Sequence, residues 1–190
     1  MMLNCRSDVL LRSIAAGALI ALACVIYTRV SAPLNAFLFS FGLLVVCEFG
    51  FDLYTGKVGS SNNWRYLVEV FVGNFFGALA VFVLLLIGGY DFTLIEGVGL
   101  DKLSHFWLTD LVGAIFCGAL MQIAVSAYKH HPIITIGAVV AFLICGFEHS
   151  IANMMWMLPT GELLGIPFVL LCGVGNAIGA KAVYAVQRRV

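Results

Sequence analysis

The chain has 190 residues, of which 62% are hydrophobic and 11% charged, and ten Lys or Arg are balanced by ten Asp or Glu. Soluble domains carry roughly 25% charged residues, so this composition excludes an ordinary soluble domain. The absence of a basic stripe excludes a nucleic-acid-binding surface. Six apolar segments fall at 8–28, 33–58, 66–89, 105–128, 132–158 and 162–187, near or above the roughly 20 residues that cross a bilayer as a helix. No cleavage-site pattern follows the first of them, so residues 10–28 are read as a retained span and not a signal peptide. Residues 1–190 therefore form a single all-α membrane domain with six transmembrane helices.

The second and fifth segments are long enough to hold an interruption. Each carries glycine, an acid and other polar residues where an unbroken membrane helix has none: Asp52-Leu53-Tyr54-Thr55-Gly56 in one and Gly146-Phe147-Glu148-His149-Ser150 in the other. Ionisable groups at that depth are costly unless they face a partner or a cavity, and irregular backbone is tolerated there only when it is buried in protein or lines a cavity. Pro33, Pro132 and Pro167 stand near the starts of segments, where a missing N–H costs little. Cys5, Cys24, Cys47, Cys117, Cys145 and Cys172 lie mostly in apolar runs with no CxxC spacing and are read as small hydrophobes.

Loop charge orients the chain. With six crossings both termini share one side, and that side holds Arg6, Arg12, Lys57, Arg65, Lys129, Lys181, Arg188 and Arg189. The other side holds Arg29 and Lys102 with Asp91, Glu96 and Asp101. The positive-inside rule places both termini in the cytoplasm.

The sequence also repeats. Ala16-Gly17-Ala18-Leu19 matches Cys117-Gly118-Ala119-Leu120, Gly50-Phe51-Asp52-Leu53 matches Gly146-Phe147-Glu148-His149, and Gly73-Asn74-Phe75-Phe76-Gly77 matches Gly175-Asn176-Ala177-Ile178-Gly179. Offsets of 101, 96 and 102 residues describe a duplicated three-helix unit covering about 8–89 and 105–187. An odd number of crossings per unit makes this an inverted repeat whose two interruptions meet near the midplane.

Broken helices present free N–H groups that attract anions. His149, with an ordinary pKa near 6.5, is the side chain suited to hydrogen-bond or protonate a weak-acid anion at that point. Thr55 and Ser150 offer uncharged hydroxyls to the path. Asp52 and Glu148 are expected to organise the loops by accepting backbone N–H bonds, and the buried amides Asn74, Asn153 and Asn176 to hold the broken segments. Leu53, Tyr54 and Phe142 supply apolar gates. The glycines at 17, 73, 77, 118, 173, 175 and 179 are expected to permit close helix packing. His105, His130 and His131 are scattered over loops and ends, so no metal site and no cofactor is expected. Two rival readings are a neutral-solute pore for water or ammonia and a membrane haem- or metal-binding protein.

The run from Gly146 to Met154 resembles the signature of the formate/nitrite transporter family, and Asp52–Gly56 and Gly73–Gly77 resemble that family's first interrupted loop and third span. The resemblance covers Arg12 to Ala185. It implies an aquaporin-like fold, a homopentamer with a pore in each protomer, and no enzymatic activity. It also implies that His149 is the central histidine, that Thr55 lies opposite it, that Leu53, Tyr54 and Phe142 form constrictions, and that Lys102 draws anions into the outer vestibule. From the residues alone Lys102 reads as a solvated loop charge. Tyr54 stands where phenylalanine is common in the family and Gly118 where asparagine is frequent, a change expected to widen the pore or admit a water. The resulting expectation is passage of a small monovalent anion such as formate, nitrite or hydrosulfide, with or without a proton, across a prokaryotic plasma membrane.

Overall fold

The computed structural model describes residues 2–189, with side chains from residue 8 onward, so Cys5 and Arg6 lie outside the described side chains. Among the described residues there are nine α-helices and no strands: α1 (Met2–Arg29), α2 (Leu34–Glu48), α3 (Tyr54–Lys57), α4 (Trp64–Ile87), α5 (Thr93–Leu103), α6 (Trp107–Ala127), α7 (Pro132–Ile144), α8 (Ser150–Met157) and α9 (Gly165–Gln187). By length and composition, α1, α4, α6 and α9 can each cross a membrane, whereas α2 and α7 are shorter apolar helices. As the composition of the second and fifth segments predicts, α2 breaks before α3 and α7 breaks before α8.

Both breaks end in the same way. Gly50 and Gly146 take positive φ (65° and 67°), a conformation that a side chain disfavours. The Phe51 N–H then reaches back to the Val46 carbonyl and the Phe147 N–H to the Phe142 carbonyl, each at 2.9 Å. These are the long backward bonds that close a helix around a left-handed glycine. The chain leaves each helix extended and restarts in α3 or α8.

The long helices pair through small residues, and the pairing is duplicated. Helix α1 packs on α4, and α6 on α9. A β-carbon added at Gly17 would collide with the Asn74 carbonyl, and one at Gly118 with the Asn176 carbonyl. Gly77 and Gly179 are pressed likewise onto the carbonyls of Ile14 and Ile115. In the bilayer, where lipid is as apolar as leucine, such close backbone approach supplies much of the helix–helix attraction. Gly118 is thus a packing residue, and the structure corrects the expectation of a widened pore there: the backbone of α9 occupies the space. Large apolar side chains such as Leu84, Ile87, Phe116, Leu170 and Ile178 are exposed on the outer faces of these helices.

A second difference is α5, which lies where the sequence was read as a loop. Its start is fixed by Asp91, whose Oδ1 accepts from the Thr93 hydroxyl at 2.6 Å and the Thr93 N–H at 3.0 Å. These two bonds, with a smaller contribution from Arg29, hold the Asp91 carboxyl below its ordinary range. With only 11 residues and two acids besides Lys102, α5 has no membrane-length apolar face for a sequence reading to detect.

Candidate transport site

The two loops that follow the broken helices are each clamped by one asparagine. Asn74, on α4, donates from Nδ2 to the Asp52 carbonyl at 2.9 Å and to the Ser13 carbonyl at 2.8 Å, while its Oδ1 accepts from the Tyr54 N–H at 2.9 Å. Asn176, on α9, donates to the carbonyls of Glu148 and Ala114, each at 2.8 Å, and accepts from the Ser150 N–H at 2.9 Å. Each amide therefore grips the peptide groups on both sides of one residue: Leu53 in the first loop and His149 in the second. Both asparagines are fully buried, where unpaired amide groups are expensive.

His149 and Thr55 join the two loops, with Thr55 Oγ1 2.9 Å from His149 Nε2. The other ring nitrogen, Nδ1, accepts from the Ala152 N–H at 3.1 Å and caps α8. An accepting Nδ1 carries no proton, so the ring is the neutral tautomer with its proton on Nε2, donated to the threonine oxygen. Phe142 stacks on the imidazole at 5.6 Å between centroids with 17° between planes. Leu53, Phe142, His149 and Thr55 are all buried.

A cavity of about 450 Å³ opens on one side of Leu53, lined among others by Lys57, Lys129, Ser60, Gln122, Ser126 and Tyr184. The Lys181 ammonium binds the Ser61 carbonyl at the same end. Arg29, at the end of α1, meets Tyr90 and Asp91. Tyr54 borders the first loop: its hydroxyl donates to the Gly173 carbonyl at 3.2 Å and its ring meets Phe71 edge-on.

Three assigned residues behave differently from expectation. Among the described residues the Glu148 carboxylate accepts from no backbone N–H; it binds Lys102 Nζ at 2.6 and 2.8 Å and Asn153 Nδ2 at 2.9 Å. The Asp52 carboxylate likewise accepts from the Tyr66 hydroxyl at 2.9 Å and pairs with Lys57 Nζ at 3.1 Å. The reason is that the asparagine amides already satisfy the loop backbone, which frees the carboxylates to pair with lysines. Lys102 is not a loop charge in water. It lies in the last turn of α5, buried against Glu148 and 5.0 Å from the centre of the Trp156 ring. Among the described residues the buried Ser150 hydroxyl has no hydrogen-bond partner, and neither has Asn153 Oδ1.

Sequence reasoning missed Tyr66, Asp110 and His105. Asp110 had a legible signal, an acid in the first turn of a membrane-length apolar helix. The place of His105 depends on the fold of α5 and had none.

The family model for the formate/nitrite transporter matches residues 6–187. The chain belongs to the formate/nitrite transporter family. This is a family of membrane transporters, not of enzymes, and membership agrees with the all-helical, multi-pass architecture. Among curated relatives, the formate channel FocA of Haemophilus influenzae is 28% identical over 183 residues, covering 78% of this chain and 64% of that protein. The formate channel FocA of Escherichia coli K12 is 29% identical over 150 residues, covering 66% of this chain and 52% of that protein. The chain spans about half to two-thirds of the length of these relatives. Two solved structures share the fold, each with a TM-score of 0.86. One is a pentameric formate channel with formate bound, at 20% identity and covering 98% of this chain and 97% of that one; the other is an FNT family ion channel, at 21% identity and covering 99% and 91%.

Proposed function

We propose that this family member passes a small monovalent weak-acid anion, of the formate, nitrite or hydrosulfide type, through a pore in each protomer of a homopentamer. Residues 8–89 and 105–187 form inverted halves, α2–α3 and α7–α8 complete six crossings, and both termini face the cytoplasm of a prokaryotic inner membrane. The observation that carries this reading is the Thr55–His149 hydrogen bond where the two interrupted helices meet. The printed descriptions of the similar channels, formate as the solute and a pentamer as the assembly, agree with it.

The path runs from the cavity beside Leu53, past Leu53 and Phe142, to the His149–Thr55 pair. Leu53 and Phe142 strip water from the solute, and a bare anion in that setting is strongly disfavoured. The neutral imidazole offers its Nε2–H, and the Thr55 hydroxyl rotates to offer its own proton, so the solute meets two donors and no formal positive charge. Because Nδ1 is committed to capping α8, the ring holds no second proton to give away. The proton that neutralises the anion therefore enters with the solute from the vestibule water. Lys102, held by Glu148, shapes the outer approach together with the helix start at Ser150, and the Tyr54 hydroxyl, anchored on Gly173, sets the width beside Leu53.

The test is proteoliposome flux of formate, nitrite and hydrosulfide across a pH series. The proposal expects anion-dependent flux that rises as the outer pH falls. Flux of water or ammonia with no response to these anions favours the neutral-solute reading instead.

A further inference from the structure

Outside the Thr55–His149 pair, the structure gathers a second set of donor groups beside the start of α8. His105, in the turn between α5 and α6, Asp110 in the first turn of α6, and Glu148 each offer a ligand atom, and these atoms lie within 4.8 Å of one another. His105 Nδ1 and Asp110 Oδ1 lie 3.3 Å apart in a long hydrogen bond that serves one oxygen of that carboxylate. Asp110 is only 3% exposed, and its second oxygen, Oδ2, is buried with no hydrogen-bond partner. A buried carboxylate oxygen left unpaired calls for a cation, a proton or a water.

The surrounding charges select among these. Glu148 pairs with Lys102, and His105 approaches both Asp101 and Asp110, so these three carboxylates and one ammonium carry an excess of two negative charges when His105 is neutral. Such an excess is adverse at the mouth of an anion path, and a divalent cation cancels it. The other His105 nitrogen, Nε2, lies 3.6 Å from Asp101 Oδ2, an exposed ion-pair contact longer than a hydrogen bond. Glu148 retains a lone pair on Oε1 after its bonds to Lys102 and Asn153. Access is open, because the His105 and Asp101 side chains are 44% and 75% exposed.

We propose that His105 Nδ1, Asp110 and Glu148 bind a divalent transition-metal ion of the zinc type. One nitrogen and two carboxylates form a mixed set that suits zinc better than magnesium or calcium, and a fourth position is left for water. Such an ion ties α5, α6 and the residue preceding His149 together from the outer side.

The experiment is Zn²⁺ binding to purified, chelator-treated full-length protein, followed by calorimetry and metal analysis of the dialysed sample. Wild type is expected to hold one zinc per chain. His105→Ala, a change at an exposed residue that leaves the protein's elution unaltered, weakens binding roughly tenfold or more. A double variant, His130→Ala with His131→Ala, keeps the site. Co²⁺ in place of Zn²⁺ gives a visible absorption band that His105→Ala alters. Three results overturn the proposal: no retained zinc in wild type, unchanged affinity in His105→Ala, or loss of the site in the His130/His131 double variant. Because binding is read without any flux measurement, its failure is distinct from failure of the transport reading.

Discussion

Thr55 Oγ1 and His149 Nε2 lie 2.9 Å apart although 94 positions separate them in sequence. The contact exists because two helices stop at equivalent glycines and two asparagines hold the following loops face to face. Replacing Thr55 by Val keeps the volume but leaves the buried Nε2–H with no acceptor. A loss of about 1–3 kcal/mol in stability is expected from an orphaned buried donor, together with a marked drop in anion flux. Thr55→Ser, which keeps the hydroxyl, restores most of both. Thermal unfolding in detergent and proteoliposome flux check the pair.

The asparagine clamps make a symmetric prediction. Asn74→Ala and Asn176→Ala each remove three hydrogen bonds to buried backbone. Each is expected to cost about 3 kcal/mol or more, since every orphaned group brings roughly 1–3 kcal/mol. Thermal unfolding of the two variants side by side gives the comparison. A large loss for one and none for the other contradicts the equivalence of the two halves.

Helix packing provides a contrast within one residue type. Gly118→Ala drives a methyl group into the Asn176 carbonyl, whereas Gly97 has nothing within 4 Å of an added β-carbon. Gly118→Ala is expected to abolish assembly or reduce it severely. Gly97→Ala is expected to be tolerated, with helix propensity favouring alanine by about 0.8–1.0 kcal/mol. Yield of folded protein by size exclusion decides.

The Lys102–Glu148 pair is buried, so breaking it differs from removing it. Lys102→Met leaves an uncompensated carboxylate and is expected to cost about 3–5 kcal/mol. Adding Glu148→Gln removes the stranded charge and recovers part of that loss. A double variant no more stable than Lys102→Met alone shows that the two side chains are not coupled.

Much of this arrangement is legible in the sequence, for reasons that particular residues make plain. The interruptions are visible because Asp52, Glu148 and His149 break otherwise continuous apolar runs. The shared clamp is visible because Asn74 and Asn176 recur in one glycine frame. What the asparagines grip is not visible, since an amide's choice between peptide groups and solute depends on where the loops lie. For the same reason the partners of Asp52 and Glu148 were misjudged: backbone donors and lysines satisfy a carboxylate equally well on paper. Helix α5 escaped notice because it is short and mixed in polarity, and with it went the burial of Lys102 and the approach of His105 to Asp110. Gly118 shows the converse error, where a residue type unusual at its position suggested pore volume and the structure shows a helix contact.

The proposed action of His149 on the solute is tested most directly by His149→Phe. In proteoliposomes, alongside wild type and across a pH series, the variant should assemble as the same oligomer and lose formate flux by tenfold or more at every pH. Flux and pH profile indistinguishable from wild type would contradict a role for the imidazole in the path.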